Sequence, residues 1–268
     1  MAFDIVAYHE SQAGVANTLI NVAGLGGDTG HTVNGDNITV PNVFREIIAA
    51  YGTMTNATDI LTRLRLESPR MKADGAYLEC QPLARIAAGS AYATPNPTPL
   101  AEFIKSPVQL TPGESLQCMM AANGATAADI FSAVVLLGDG VYVNPYATMP
   151  VIHVRATVAV AAAANAWTAQ ALTLDQQLAA GKYAMIGMRA ETPTGKAARL
   201  VNLQETYGRP GCIPVATPLI PDHPLFRNGG LGVWGMFTQD NLPQVEIFAA
   251  AADAAAACIY TLDIVKVA

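Results

Sequence analysis

Four histidines, four cysteines and one glycine-rich loop are the residues of this chain whose types could do chemistry. His9, His31, His153 and His223 are scattered, and no two stand at the HxH or HExxH spacing that brings two imidazoles onto one metal ion. A cupin-type metal site on a jelly roll would need a close His pair and a Glu, a pattern the sequence lacks. His153 falls on the polar phase of a strand and His223 lies within Pro221-Asp222-His223-Pro224, so both are expected to serve structure. Cys80, Cys118, Cys212 and Cys258 form no CxxC pair. Free, mostly buried thiols in a reducing compartment are the expectation, rather than zinc or redox chemistry.

The run Gly24-Leu25-Gly26-Gly27-Asp28-Thr29-Gly30, continuing to Asn34-Gly35-Asp36-Asn37, could cradle a phosphate through backbone N–H groups. That use requires a strand before, a helix after and usually a lysine, and neither a Lys-Ser/Thr pair nor the GxGxxG spacing is present. Asp28, Asn34 and Asp36 could offer oxygen ligands to calcium, but the EF-hand spacing and terminal Glu are missing, and a turn-rich loop is the plainer reading. No GxSxG elbow occurs, and nothing in the spacing of Glu67, Glu79, Glu102, Glu114, Glu191 and Glu205 singles out a pair for glycoside chemistry. Asn37-Ile38-Thr39 and Asn56-Ala57-Thr58 match glycosylation sequons, which carry no weight here because Met1-Ala2-Phe3-Asp4 does not open like a secretory leader. Trp234, in Asn228 to Phe237, and Trp167 could stack on a sugar, anchor a neighbouring subunit or pack beneath a strand. No catalytic, cofactor-binding or metal-binding residue is assigned, no cofactor is expected, and the chain does not read as an enzyme.

Composition dictates the elements that must hold these residues. The chain has 268 residues, 51% hydrophobic and only 13% charged, which excludes disorder. Its 48 alanines make the apolar fraction one of small side chains. A net charge of −6 and a pI near 5.1 argue against a broad nucleic-acid-binding face, and no sequence-specific nucleic-acid contact is expected. The densest basic spot, Arg63, Arg65, Arg70 and Lys72, reads as the solvated face of a strand and its turn. Ala156 to Leu174 is charge-free and of spanning length, but alanine contributes too little transfer energy for a membrane helix.

Glycine and proline cut the chain into short segments, most with period-two patterning. Ile60 to Glu67 alternates apolar residues with Arg63, Arg65 and Glu67, the signature of a half-buried strand. Ala76 to Gln81, Ile152 to Val158, Val245 to Ile247 and Cys258 to Ile264 alternate likewise, the last with Thr261 and Asp263 pointing away from Tyr260, Leu262 and Ile264. Two short helices are expected. One starts at Pro41 with a stripe of Val43, Phe44, Ile47, Ile48 and Tyr51, and one starts at Thr98-Pro99 and runs through Lys105. The tract Ala161 to Ala180 has helical propensity, but Leu172-Thr173-Leu174 followed by Asp175 to Gly181 favours strand, turn and a further strand from Tyr183 to Met188.

An internal repeat organises these segments. Shifting the chain by 129 residues places Leu116-Gln117-Cys118-Met119 on Val245-Glu246-Ile247-Phe248, and Ile130-Phe131-Ser132 on Ile259-Tyr260-Thr261, without a gap. Both blocks read strand, alanine-rich link, strand. A boundary between Gly138 and Pro150 then gives two β-rich halves, residues 1–145 with an N-terminal arm and residues 146–268. Each half fits a jelly-roll sandwich better than a propeller or solenoid.

The chain resembles the double jelly-roll major capsid proteins of tailless icosahedral viruses that infect prokaryotes. The resemblance rests on the two similar halves, the repeated closing strands ending at Gly138-Asp139-Gly140 and at Ile264 to Ala268, the turn Leu178-Ala179-Ala180-Gly181-Lys182-Tyr183 into a strand, and helix-sized inserts. It implies an all-β double jelly roll with a few short helices, assembling as homotrimeric capsomers that meet neighbouring capsomers and minor capsid or penton proteins. It also implies a protein made in the host cytoplasm and resident in the virion capsid, with no catalytic residues. Scarce charge and small side chains suit extensive subunit contact. A carbohydrate-binding or adhesin-like β-sandwich, with Trp167, Trp234 and tyrosines as stacking platforms, is the alternative. A β-sandwich hydrolase would require Asp, Glu or His to converge in one pocket.

Overall fold

The computed structural model describes residues 3–13, 15–26, 28, 30–55, 59–81, 100–125 and 129–268. The chain is all-β, 49% strand and 5% helix, in several antiparallel sheets, consistent with a β-sandwich. It divides into two compact units, Val6–Gly138 and a second formed by Met1–Ile5 together with Asp139–Ala268.

The first unit holds β1 (Phe3–Gln12) from Val6 onward, β2 (Ile20–Val22), β3 (Val33–Asn34), β4 (Asn37–Thr39), β5 (Glu46–Thr55), β6 (Leu61–Glu67), α1 (Pro69–Ala73), β7 (Leu78–Glu79), β8 (Ala101–Glu102), β9 (Val108–Gln109), β10 (Ser115–Ala122) and β11 (Asp129–Gly138). One sheet runs β1-β11-β5-β8 with β9 also on β5, and the other β3-β4-β10-β6-β7 with β2 also on β10. The buried phenol of Tyr8 on β1 reaches across to the Leu116 carbonyl of β10 at 2.7 Å. Gly52 of β5 lets Leu64 of β6 approach so closely that an added Cβ would lie 3.0 Å from the leucine methyl. These contacts place the two sheets face to face.

The second unit contains β12 (Ile152–Val158), β13 (Trp167–Leu174), β14 (Lys182–Glu191), β15 (Gly195–Val201), β16 (Gly211–Cys212), β17 (Gly235–Thr238), β18 (Gln244–Ala249) and β19 (Ile259–Lys266). They follow the order β16-β15-β18-β13-β12-β19-β14-β17. The hinge of this sheet is β12 on β13, paired only over Ala156 to Val158 and Leu172 to Leu174. On either side of that hinge lie two groups of four strands, and the sheet closes on itself: Val215, just past β16, bridges Glu191 of β14, and Gln204, just past β15, bridges Met236 of β17. Tyr260 of β19 donates to Gln170 of β13 at 2.5 Å in the interior.

Strands of each unit can be numbered one to eight, with β2 to β4 sharing one position and β8 and β9 another. Both units then give the same pair of orders, 1-8-3-6 and 2-7-4-5. The repeated sequence blocks are strands seven and eight of each unit. β10 begins at Ser115 and β18 at Gln244, 129 residues apart, and Ile130 and Ile259 hold equivalent places in β11 and β19.

Two helices expected from sequence are strands. The stripe from Val43 to Tyr51 leads into β5, which pairs along its length with β11 and is buried on both faces from Glu46 to Met54, so its apolar run has no phase to distinguish strand from helix. Thr98 and Pro99 lie outside the described residues, and Ala101–Glu102 beyond them is β8, paired with Ala49 and Ala50. The actual helix, α1, is capped by the Ser68 hydroxyl accepting from Met71 N, with Pro69 at the first position. Ala161 to Ala180 is strand and turn, as its pattern favoured. No helix among the described residues is long and apolar enough to cross a membrane.

Two buried cations mark the second unit. Arg199 on β15 is fully buried: it pairs with Glu246 at 2.6 Å, donates to the Ile5 carbonyl at 3.0 Å, and lies over the Trp167 ring at 3.7 Å. Phe3 packs edge-on against Trp234, with centroids 5.2 Å apart. Lys196 sits where β15 bulges against β18, 1% exposed, and its ammonium finds no hydrogen-bond partner among the described residues. Burial lowers its pKa to about 8 against the opposing pull of Asp253.

Candidate functional site

The densest polar constellation of the second unit forms where β12, β14 and β19 meet the loop after β16. Strand alternation would put Asp263 of β19 on the solvent phase, yet it is fully buried, because Arg227 and Asn228 fold over it. Its carboxylate accepts from Arg227 Nε at 2.7 Å and Nη2 at 2.8 Å, from the Asn228 backbone N–H at 2.9 Å and from His153 on β12 at 2.9 Å. Burial alone would raise the Asp263 pKa. The hydrogen bonds from Arg227, Asn228 and His153, with the guanidinium charge, override it and hold the carboxyl below the usual range. Gly187 of β14 makes this approach possible: a Cβ there would stand 2.7 Å from Asp263 Oδ2 and 2.8 Å from the Phe226 carbonyl.

A second carboxylate, Asp222, bridges Arg227 to Arg189 of β14. Arg189 also pairs with Glu191 at 2.8 Å and donates to the carbonyls of Ile220 at 3.0 Å and Thr217 at 3.3 Å. The guanidinium therefore grips the loop on both sides of Leu219. Local turns tighten the grip: Leu219 N donates to Thr217 Oγ1, and Ile220 N to the Thr217 carbonyl. Pro218 and Pro221 flank the tip, and Ile220 is buried beneath it. Leu219 itself is 88% exposed, the most exposed large apolar side chain among the described residues.

The cluster's chemistry is that of a clamp. The His153 imidazole is oriented by Asp263 and its side chain is half exposed, as a general base would be. No serine follows Ser132 in the sequence, and the cysteines of the unit, Cys212 and Cys258, are buried. Burial pushes the Cys212 thiol up to about 12 and raises that of Cys258.

The other residues of interest from the sequence are held in local structure. Asp28 accepts from His31 at 2.9 Å and from Gly30 N, while Asp36 accepts from Asn37 and from Gln117 at 2.7 Å each, so both carboxylates offered to calcium are engaged within the protein. Among the described residues no three His, Cys, Asp or Glu side chains are grouped as metal ligands. Arg63 and Arg65 of β6 pair with Glu79, and Lys72 with Glu67, while Arg70 and Lys72 belong to α1. Glu114 accepts from Thr111 N and Arg70 N, and Glu205 pairs with Lys182. Glu191 is taken by Arg189. His9 stands 3.4 Å from Ser132, and His223 caps the short 3-10 turn Pro224–Phe226. Trp234 is 1% exposed, and Arg199 lies over one face of the partly buried Trp167 ring. Asn56, Ala57 and Thr58 lie outside the described residues.

Sequence reasoning passed over Arg189, Leu219, Asp222, Arg227 and Asp263. The signal was the charge-free, proline-interrupted run Gly211 to Pro221, which ends in an acid–base series, Asp222, His223 and Arg227. In comparisons with known proteins, no protein-family model, no curated protein and no solved structure matches the chain.

Proposed function

We propose that the chain is a self-assembling structural protein, the major capsid protein of an icosahedral virion. In this reading each unit is a jelly roll, the protomer forms homotrimeric capsomers, and these meet neighbouring capsomers and minor capsid or penton proteins. The protein is made in the host cytoplasm and resides in the shell.

One observation carries the reading: both units have the strand orders 1-8-3-6 and 2-7-4-5, with their closing strands 129 residues apart. That order arises when a long hairpin of four strand pairs is wrapped so that each sheet draws strands from the whole length of the unit, which is the jelly-roll wrap. Repeating it in tandem gives one chain two equivalent building blocks. Low charge and a rigidly presented apolar loop tip supply surface suited to protein contact. The glycan-binding alternative loses Trp234, which is buried, while Tyr77 and Tyr207 remain exposed.

Negative-stain electron microscopy with sedimentation velocity on the purified protein tests this. Trimers that close into isometric shells are expected, and a monomer that persists at high concentration sinks the proposal.

A further inference from the structure

An asparagine followed by glycine is open to attack by its own backbone, because glycine has no side chain to keep its nitrogen away from the asparagine amide carbon. The sequence has three such pairs, Asn34-Gly35, Asn123-Gly124 and Asn228-Gly229. The fold treats them differently.

Asn228 is locked into the clamp. Its N–H donates to Asp263 at 2.9 Å, its φ is +51°, and the following N–H, the one that would attack, is held by the Ile186 carbonyl at 2.7 Å. Gly229 lies so close to Asn144 that an added Cβ would collide with the side-chain amide there. Asn123 is held through both side chain and backbone: its Oδ1 accepts from Ile60 N at 2.8 Å, and its N–H donates to the Ile60 carbonyl at 3.1 Å. Gly124 lies against the Asp59 carboxylate, whose charge opposes loss of a proton from the neighbouring amide.

Asn34 has none of these restraints. It ends β3, an edge strand of two residues paired only with Ile38 and Asn37 of β4. Gly35 takes the first central place of the two-residue turn with φ +61°, and both Asn34 and Gly35 are exposed. Nothing lies within 4 Å of the place a Gly35 Cβ would take, and among the described residues the Gly35 N–H has no acceptor. The terminal pair of a short edge hairpin opens at low cost, so Asn34 can bring its amide carbon onto that nitrogen.

We infer that Asn34 is a site of spontaneous deamidation, selected by the fold from the three pairs. Hydroxide takes the proton from Gly35 N, and the nitrogen attacks Asn34 Cγ. The bond from Gly35 N to Cγ forms as the bond from Cγ to Nδ2 breaks, and ammonia leaves with a proton from water. Water then opens the cyclic imide at either carbonyl, leaving aspartate or its β-linked isomer, isoaspartate. No electron is transferred, and water is the only co-reactant. Each event places a new negative charge at the turn, and isoaspartate lengthens the backbone where residue 34 pairs with Asn37. The Gly35 carbonyl accepts from Gly24 N at 2.9 Å, so the glycine-rich loop is tethered to the residue that moves.

The test incubates the full-length protein at mildly alkaline pH and follows each asparagine by peptide mapping in a mass spectrometer. Isoaspartate is counted by transfer of labelled methyl groups from S-adenosylmethionine with a protein isoaspartyl methyltransferase. In the folded protein Asn34 should convert at least tenfold faster than Asn123 and Asn228, while in urea the three should convert at comparable rates. Asn34→Gln makes ring closure slower and lies at an exposed position, so this variant should fold, which circular dichroism verifies, and lose the rapid methyl acceptor. If Asn34 converts no faster than the other two in the folded protein, the inference fails. A rapid methyl acceptor that persists in N34Q also overturns it. Neither result bears on the capsid reading, which is independent of this site.

Discussion

Asp263 shows how a single side chain can invert the pattern it sits in. Its strand alternates, its position is on the polar phase, and it is nevertheless among the most buried carboxylates of the protein because four donors replace its water. Replacing Arg227 with Met leaves that charge buried without its cation, and a loss of about 3–5 kcal/mol in urea unfolding at pH 7 is expected. Because the folded pKa of Asp263 is depressed, its contribution is fully present above the ordinary carboxylate pKa of about 3.9 and disappears as pH falls through the lower folded value. Asp263→Asn should therefore flatten the acid limb of the stability profile. Lys196 has the opposite sign. Its folded pKa, about 8, lies below the ordinary lysine value, so the folded state sheds a proton that the unfolded chain keeps. The Lys196 contribution rises with pH between about 8 and about 10.4 by up to roughly 3 kcal/mol, while the buried cysteine thiols, raised in the fold, make stability fall over the same range; Lys196→Met should therefore stabilise the protein at pH 7, by a margin over the parent that shrinks as pH rises above 8. A denaturation series from pH 6 to 10 on the parent and the variant measures both effects.

Among the elements, β14 does the most positioning. Its bulge near Gly187 admits Asp263 and the Phe226 carbonyl, its Arg189 grips the Leu219 loop, and its Glu191 bridges Val215 at the start of that loop. Arg189→Met should release the loop while β14 remains paired on both sides. Amide exchange at Leu219 and Ile220 is expected to accelerate at least tenfold while amides of Ala184 and Met188 are unchanged. Equal acceleration at all four would mean that the arginine supports the strand and not the loop. β12 was fully legible in the sequence, Ile152 to Val158 in both readings, because one of its faces is buried and the other wet. β5 was not, because a central strand buried on both faces shows no alternation. The helix at Ser68-Pro69 escaped notice because five residues are too few for a hydrophobic stripe, although its cap and proline were in view. The clamp was illegible for another reason: Arg189, Asp222, Arg227 and Asp263 come from separated segments, and only the closure of the sheet brings them together.

At the scale of the molecule, the net charge of −6 opposes association of like copies, while exposed apolar side chains such as Leu219 favour it. Raising the salt from about 0.05 M to about 0.5 M shortens the screening length from roughly 14 Å to roughly 4 Å, so assembly should strengthen and the concentration for half-assembly should fall. Light scattering measures this, and weakening with salt would mean that ion pairs dominate the contact. The order in which the ribosome delivers the chain adds a constraint of its own. Phe3 to Ile5 are made early and belong to the second unit, where the Ile5 carbonyl waits for a guanidinium 194 residues further on. At about 5–20 residues per second, synthesis reaches Arg199 only about 10–40 s later. Until then the Ile5 carbonyl has no guanidinium to accept from, and a chain cut short before β15 lacks that contact. Residues 3–5 are thus fastened long after they are made.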